Sequence, residues 1–211
     1  MRPNQLPLQS LEARDATGFK LDFVARHLAD SRRVLEKACG SREFAASLVA
    51  IADTIAASLK RGGRLYLAGN GGSAGDAQHI AGEFLSRLNY DRSPLPAIAL
   101  TTDSSVLTAI GNDYGFEGVF ERQVRGLARK GDVFVAISTS GRSPNILRAL
   151  QAARAIGTTT VGFAGRTGGA MAEYCDLVLH APSDSTPLIQ QIHITAAHAI
   201  CGLVEQDLFP Q

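Results

Sequence analysis

Apolar positions follow two different periods along this chain, and the change falls at Arg64. Before it, apolar residues recur at helical spacing. Phe23, Val24, Leu28 and Leu35 share one face of a helix predicted over 19–38, which Gly40 closes. Phe44, Leu48, Ile51, Ile55 and Leu59 step by four, three, four and four, so a second helix follows, capped by Ser41 and ended by Gly62-Gly63. After Arg64, short apolar runs at 65–68, 96–100, 132–137, 158–163 and 176–180 read as strands. The run 132–137 is apolar almost throughout, as a strand covered on both faces is. Helices are predicted from Ser73 onward, over 104–110, 117–129, 143–156 and 185–206, with a Gly-rich turn and short helix over 165–173. In the last helix Ile189, Ile192, Ala196, Ala199 and Leu203 form the packing stripe.

Five strands separated by helices specify an α/β fold with a parallel sheet and right-handed crossovers. The two leading helices have no strand between them and form an appendage, a candidate contact between subunits. Residues 1–18 read as a loose arm, and 19–211 as one domain that includes both leading helices.

Composition narrows the class. A chain of 211 residues with 45% hydrophobic and 19% charged residues is long and apolar enough for one domain with a sizeable core. Its formal net charge of +1 leaves no electrostatic footprint for nucleic acid. Residues 1–10 lack the apolar centre of a signal peptide, and no apolar run approaches ~18 residues, so a membrane partner is not expected. Cys39, Cys175 and Cys201 form no C-x-x-C, which points to reduced thiols in the cytoplasm. Each has apolar neighbours in sequence and reads as a buried small hydrophobe.

Candidate chemistry begins in the loop Gly69-Asn70-Gly71-Gly72-Ser73, between the first strand and its helix. Glycines there expose backbone N–H groups, and the helix N-terminus adds its dipole, so the turn suits an anion. A tight turn made for packing would read the same way. His79 and Glu83 follow on one face of that helix, at i, i+4; alone, they read equally as a solvated pair. A second loop, Ser138-Thr139-Ser140-Gly141-Arg142-Ser143-Pro144, follows the strand 132–137. Ser143 suits the cap position and Pro144 the first helical position. Three hydroxyls without a lysine suit a sugar phosphate better than a nucleoside triphosphate with its magnesium; a well-capped helix start is the plain alternative. Both loops fall at carboxyl ends of strands, where open α/β sheets bind ligands. His27, His180 and His193 read as surface or satisfied core residues.

Taken together, these motifs, with Gly111-Asn112-Asp113 and Gln190-Gln191-Ile192-His193 followed by His198, resemble the sugar isomerase (SIS) family and, within it, the bacterial phosphoheptose isomerases. The resemblance runs from the second leading helix to the last helix. It implies a flavodoxin-like three-layer sandwich and conversion of sedoheptulose 7-phosphate to D-glycero-D-manno-heptose 7-phosphate, the first step of ADP- or GDP-heptose synthesis for surface polysaccharide. It also implies one zinc ion per subunit and a homotetramer with sites at subunit contacts. Position by position, it implies His79, Glu83, Gln190 and His198 as zinc ligands. Asn70, Gly71, Gly72, Ser73, Asn112 and Asp113 match substrate contacts, with Glu83 and Gln190 shared. Ser138, Thr139, Ser140 and Ser143 match the phosphate site, and Asp76 and Asp184 supporting carboxylates. Arg142 and Gly82 depart from the family pattern, where asparagine and an acidic residue are common.

Gln190 and His198 lie eight residues apart, about 12 Å along a regular helix, so sharing one ion needs an irregular helix, a long reach or ligands from different subunits. In ketose–aldose isomerisation one group moves a proton at carbon and another serves the oxygens; Glu83 and His198 are assigned that pair, in an order the residues leave open. The stretch 95–107 and the ending 207–210 also resemble a non-catalytic relative that binds the replication initiator. A regulatory protein of the same fold is thus the alternative, distinguished by whether His79, Glu83 and His198 occur together. A sugar-phosphate-sensing transcription regulator fits least, for want of a helix-turn-helix or basic face.

Overall fold

Continuous apolar runs need cover on both faces, and the fold supplies it. In the computed structural model, which describes residues 16–211, all five runs form strands: β1 (Leu65–Gly69), β2 (Ala97–Ala99), β3 (Val133–Ser138), β4 (Thr159–Ala164) and β5 (Leu177–His180). Every pairing is parallel, in the order β2-β1-β3-β4-β5. Alternate strand residues face opposite layers. Leu65, Leu67, Val133, Val135, Ile137, Val161 and Phe163 pack against α2 (Arg42–Lys60), α3 (Gly72–Leu85) and α7 (Thr186–Leu208). Tyr66, Ala68, Phe134 and Ala136 pack against α4 (Ser104–Tyr114), α5 (Glu121–Leu127) and α6 (Pro144–Ile156). This is the three-layer sandwich expected from the motifs.

The strand order decides where the site can lie. After β1 the chain crosses to one side, and after β3 to the other, so the loops leaving β1 and β3 diverge and open a crevice at their carboxyl ends. Those two loops are the Gly-rich and Ser-rich turns.

Several local readings need correction. Of the arm expected over 1–18, residues 1–15 lie outside the described residues, and 16–18 open α1 (Ala16–Cys39). The α1 stripe is not inward in the single chain. Phe23 and Leu28 are 61% and 62% exposed; only Val34 and Ala38 are buried, where α1 meets Leu188, Ile189 and Ile192 of α7. The helix expected over 117–129 is a 3-10 turn (Phe116–Gly118) followed by the shorter α5. In α7, Ile189, Ile192 and Ala196 are buried, but Ala199 and Leu203 are exposed, while Ala197, Ile200, Cys201 and Val204 are covered. A single stripe is the wrong template for a helix packed on both the sheet layer and α1. By length and composition α7 would also suffice to cross a membrane, but half of it is buried within the fold. Cys201 is buried, as expected, whereas Cys175 is half-buried and Cys39 exposed; all three are free thiols.

Candidate active site

The Gly-rich loop enters α3 through Gly71, whose φ of +55° favours glycine, and a Cβ on Gly72 would meet the side-chain amide of Gln190, which would have to move aside. The Ser-rich loop turns at Gly141, whose φ is +61° and whose missing Cβ leaves room for the backbone of Gly168 and Gly169. Between the loops lies a cavity of about 230 Å³. Asn70, Gly72, Ser73, Ser138, Thr139, Ser140, Ser143 and Gln190 line it, together with Ile137 and Thr186. Most first-turn N–H groups are already paired, Ser73 with the Asn70 carbonyl, Ala74 and Gly75 with that of Gly71, and Ile146 and Leu147 with that of Ser143, so what α3 and α6 bring to this end of the sheet is chiefly the positive end of their dipoles.

Hydroxyl roles differ from the simple capping scheme. Ser143 occupies the N-cap position of α6, but its side chain makes no capping bond; its Oγ lies 3.3 Å from Ser138 Oγ. Ser140 Oγ accepts from the Arg142 N–H at 3.2 Å, which leaves its own proton free for an anion. Asn70 and Asn145 exchange two hydrogen bonds of 2.9 Å through their side-chain amides, tying the Gly-rich loop to the first turn of α6. Asn145 is buried. It carries no periodic signal in the sequence; the clue would have been an amide just inside a helix that opens Ser-Pro.

Farther along α3 and α7, the fold brings together residues 119 apart. His79 Nε2 lies 2.9 Å from His198 Nε2 and 3.3 Å from Glu83 Oε1. One ligand atom from each of the three lies within 4.8 Å of the others. Two atoms bound to one tetrahedral zinc ion at about 2.0–2.1 Å stand about 3.3 Å apart, so two imidazoles and a carboxylate at these spacings fit a divalent d-block ion. Helix α7 runs unbroken through Gln190 and His198, which removes the irregular-helix explanation for their sharing an ion. Gln190 lies at the cavity end of α7, two turns before His198.

Other candidates stand farther out. Asn112 and Asp113 are exposed near the end of α4, hydrogen-bonded to each other at 2.8 Å, and are not among the residues lining the cavity. Asp184 is exposed and ion-paired with Arg166. Asp76 has a buried Oδ2 without a hydrogen-bond partner, and burial raises its carboxyl above the usual range although His79 opposes the shift. His193 is fully buried against Phe163; burial pushes its imidazole down to about 4, while a 3.1 Å hydrogen bond with the Ala164 carbonyl works the other way. As the sequence suggests, His27 and His180 are exposed.

Comparison with known proteins follows the same lines. Residues 26–165 match the SIS domain. The chain is 53% identical over 190 residues to a phosphoheptose isomerase of Burkholderia pseudomallei, covering 90% of this chain and 96% of that one. The chain belongs to the phosphoheptose isomerases of the SIS family. Solved structures agree. That of the Neisseria gonorrhoeae phosphoheptose isomerase is 41% identical, with a TM-score of 0.83, covering 88% of this chain and 98% of that one. That of a Francisella tularensis phosphoheptose isomerase is 33% identical, with a TM-score of 0.85 and coverages of 89% and 98%. The chain is therefore an enzyme, an intramolecular aldose–ketose isomerase by class. The regulatory alternative loses its ground, since His79, Glu83 and His198 also meet in space.

Proposed function

We propose that this isomerase interconverts sedoheptulose 7-phosphate and D-glycero-D-manno-heptose 7-phosphate. The observation that carries this reading is the placement of two sites on one pair of helices. The hydroxyl-lined cavity lies at the start of α3 and α7, and the His79–Glu83–His198 group lies farther along both. From Ser73 to His79 is about 9 Å of helix, and from Gln190 to His198 about 12 Å, so the phosphate and the reacting carbons of one extended sugar are held apart.

In this scheme Ser138, Thr139, Ser140 and Ser143, with the N-termini of α3 and α6, hold the phosphate. Binding energy from that remote group orients C1 and C2. Glu83 and His198 move the proton between C1 and C2 and serve the oxygens. His79, Glu83 and His198 would hold one zinc ion per subunit, with Gln190 as a further ligand or a substrate contact. When bound, the ion polarises the substrate carbonyl and offsets the negative charge that develops on the enediolate. Asp76, beside His79, supports that imidazole. Asp184 acts only at a distance, through Arg166. Asn112 and Asp113 reach a substrate where sites are shared between copies, which fits a homotetramer assembled through the exposed face of α1. Free thiols fit a cytoplasmic enzyme, and the product fits the first step toward nucleotide-activated heptose.

The test is direct. Purified protein incubated with sedoheptulose 7-phosphate should form the aldose phosphate, lose activity to a chelator and regain it with zinc. Absence of turnover in metal-loaded protein would overturn the reading.

A further inference from the structure

Behind the His79–Glu83–His198 group lies a second set of charges. Arg92, in the segment between α3 and β2, and Glu205, on α7, have side chains only 3% and 0% exposed and meet at 3.0 Å. Glu205 also accepts from the Leu88 N–H at 3.1 Å, the Asn89 N–H at 2.9 Å and the Asn89 side chain at 3.0 Å. The rest of the Arg92 guanidinium turns to the end of α3. It donates to the carbonyl of Glu83 at 2.8 Å and to that of Phe84 at 2.7 Å, and more weakly to Ser86 and Ser93.

The Glu83 and Phe84 carbonyls belong to the last turn of α3, where carbonyls find no donor within the helix; that of Phe84 also accepts from the Leu95 N–H at 2.9 Å. Helix α3 ends at Leu85 without a glycine in the left-handed conformation to close it; Ser86 has φ −94° and ψ −103°. Arg92 takes the place of that closure. The turn it closes is the one that bears Glu83. Glu205 lies seven residues after His198, two turns on and along the same side of α7. One guanidinium–carboxylate pair thus holds the backbone of Glu83 against the helix that supplies His198.

Stability alone does not explain two buried charges. Their desolvation offsets most of their attraction, and a well-packed apolar pair of similar volume is often as stable. We propose that Arg92 and Glu205 are positioning residues, which fix the last turn of α3 against α7 and so set the separation of Glu83 from His79 and His198. The metal-dependent part of this inference rests on the function proposed above; the backbone part does not.

The experiment compares wild type with Arg92→Lys, Glu205→Gln and the double variant Arg92→Met/Glu205→Leu. The double variant removes both charges together, so neither is stranded, and Arg92→Lys keeps the charge but loses the fork. Four quantities are read: apo-protein melting, amide exchange over residues 82–89, Co²⁺ affinity with its visible absorption, and kcat and KM for sedoheptulose 7-phosphate. The double variant should fold but melt below wild type, because the Leu88 and Asn89 donors and the Glu83 carbonyl lose their partners along with the charges. Exchange over 82–89 should rise at least tenfold, while that of residues 73–80 stays protected. Co²⁺ affinity should fall roughly 10–100-fold, the range for partners that orient metal ligands. Its absorption band should shift, and kcat should fall with KM nearly unchanged. Arg92→Lys should lie between. A folded double variant with wild-type exchange over 82–89 overturns the inference, and so does one with wild-type Co²⁺ affinity and spectrum. If the double variant does not fold, Arg92→Lys decides by the same exchange and spectral readouts. If wild type binds no Co²⁺, the metal reading falls, and exchange and the kcat–KM split still decide the positioning role.

Discussion

Glu83 and His198 approach each other from different helices, so a change at either leaves the other in place. Glu83→Gln keeps the shape but removes the charge that a proton acceptor needs, and His198→Ala removes an imidazole. Each should lower turnover by about 10²–10⁴-fold. Under the proposed assignment both act in one reaction, so the double variant should be little worse than the worse single; turnover and metal content of all three check this. Circular dichroism should be unchanged, since neither side chain is part of the packed core. Ser140→Ala tests the other end of the substrate. It should weaken sugar-phosphate binding by about 1–3 kcal/mol, the value of a hydrogen bond to a charged group, with only a small drop in melting temperature from the lost, exposed Arg142 N–H bond. His193 makes a prediction about pH. Its pKa falls from 6.5 to about 4 on folding, so between these values the unfolded chain binds the proton and the folded chain does not. Stability should therefore drop as pH falls through 6.5 toward 4, by about 3 kcal/mol in all from this group. Denaturant titrations of wild type and His193→Gln should show a shallower acid-side slope in the variant, whatever its stability at pH 7.

At the scale of elements, the Gly-rich and Ser-rich loops are joined by the amide pair of Asn70 and Asn145. Asn145→Ala leaves the buried end of Asn70 without its partner, so it should cost about 1–3 kcal/mol of stability and weaken phosphate binding, as melting and titration would show. Nothing in the sequence announces such a pair, because contacts between elements have no period. Arg92 and Glu205 were hidden for the same reason. What could be read was what repeats. β1 and β3 were legible because a strand covered on both faces is apolar throughout, and α2 because it buries one stripe. His79 and Glu83 share one helix at i, i+4, but His198 joins them only through the fold, and the family motif supplied it. α7 misled because it buries two faces, and α1 because none of the described residues covers most of its stripe.

That exposed stripe governs the whole molecule. Phe19, Leu21, Phe23, Val24 and Leu28 of α1 are all more than half exposed. A run of this kind marks an interface. The protein should sediment as an oligomer at micromolar concentration. Phe23→Ser/Leu28→Ser should shift it toward smaller species without unfolding the domain, because neither side chain packs within the single chain; a wild-type monomer would overturn the shared-site arrangement. The long reach from His79 to His198 has a consequence during synthesis. At about 5–20 residues per second, His198 leaves the ribosome roughly 6–24 s after His79, since 119 positions separate them. Until then the emerging chain offers only His79 and Glu83, too few donors to compete for a scarce ion. A polypeptide cut short before α7 would never acquire the third, so under the proposed assignment tight metal uptake would wait for the synthesis of α7.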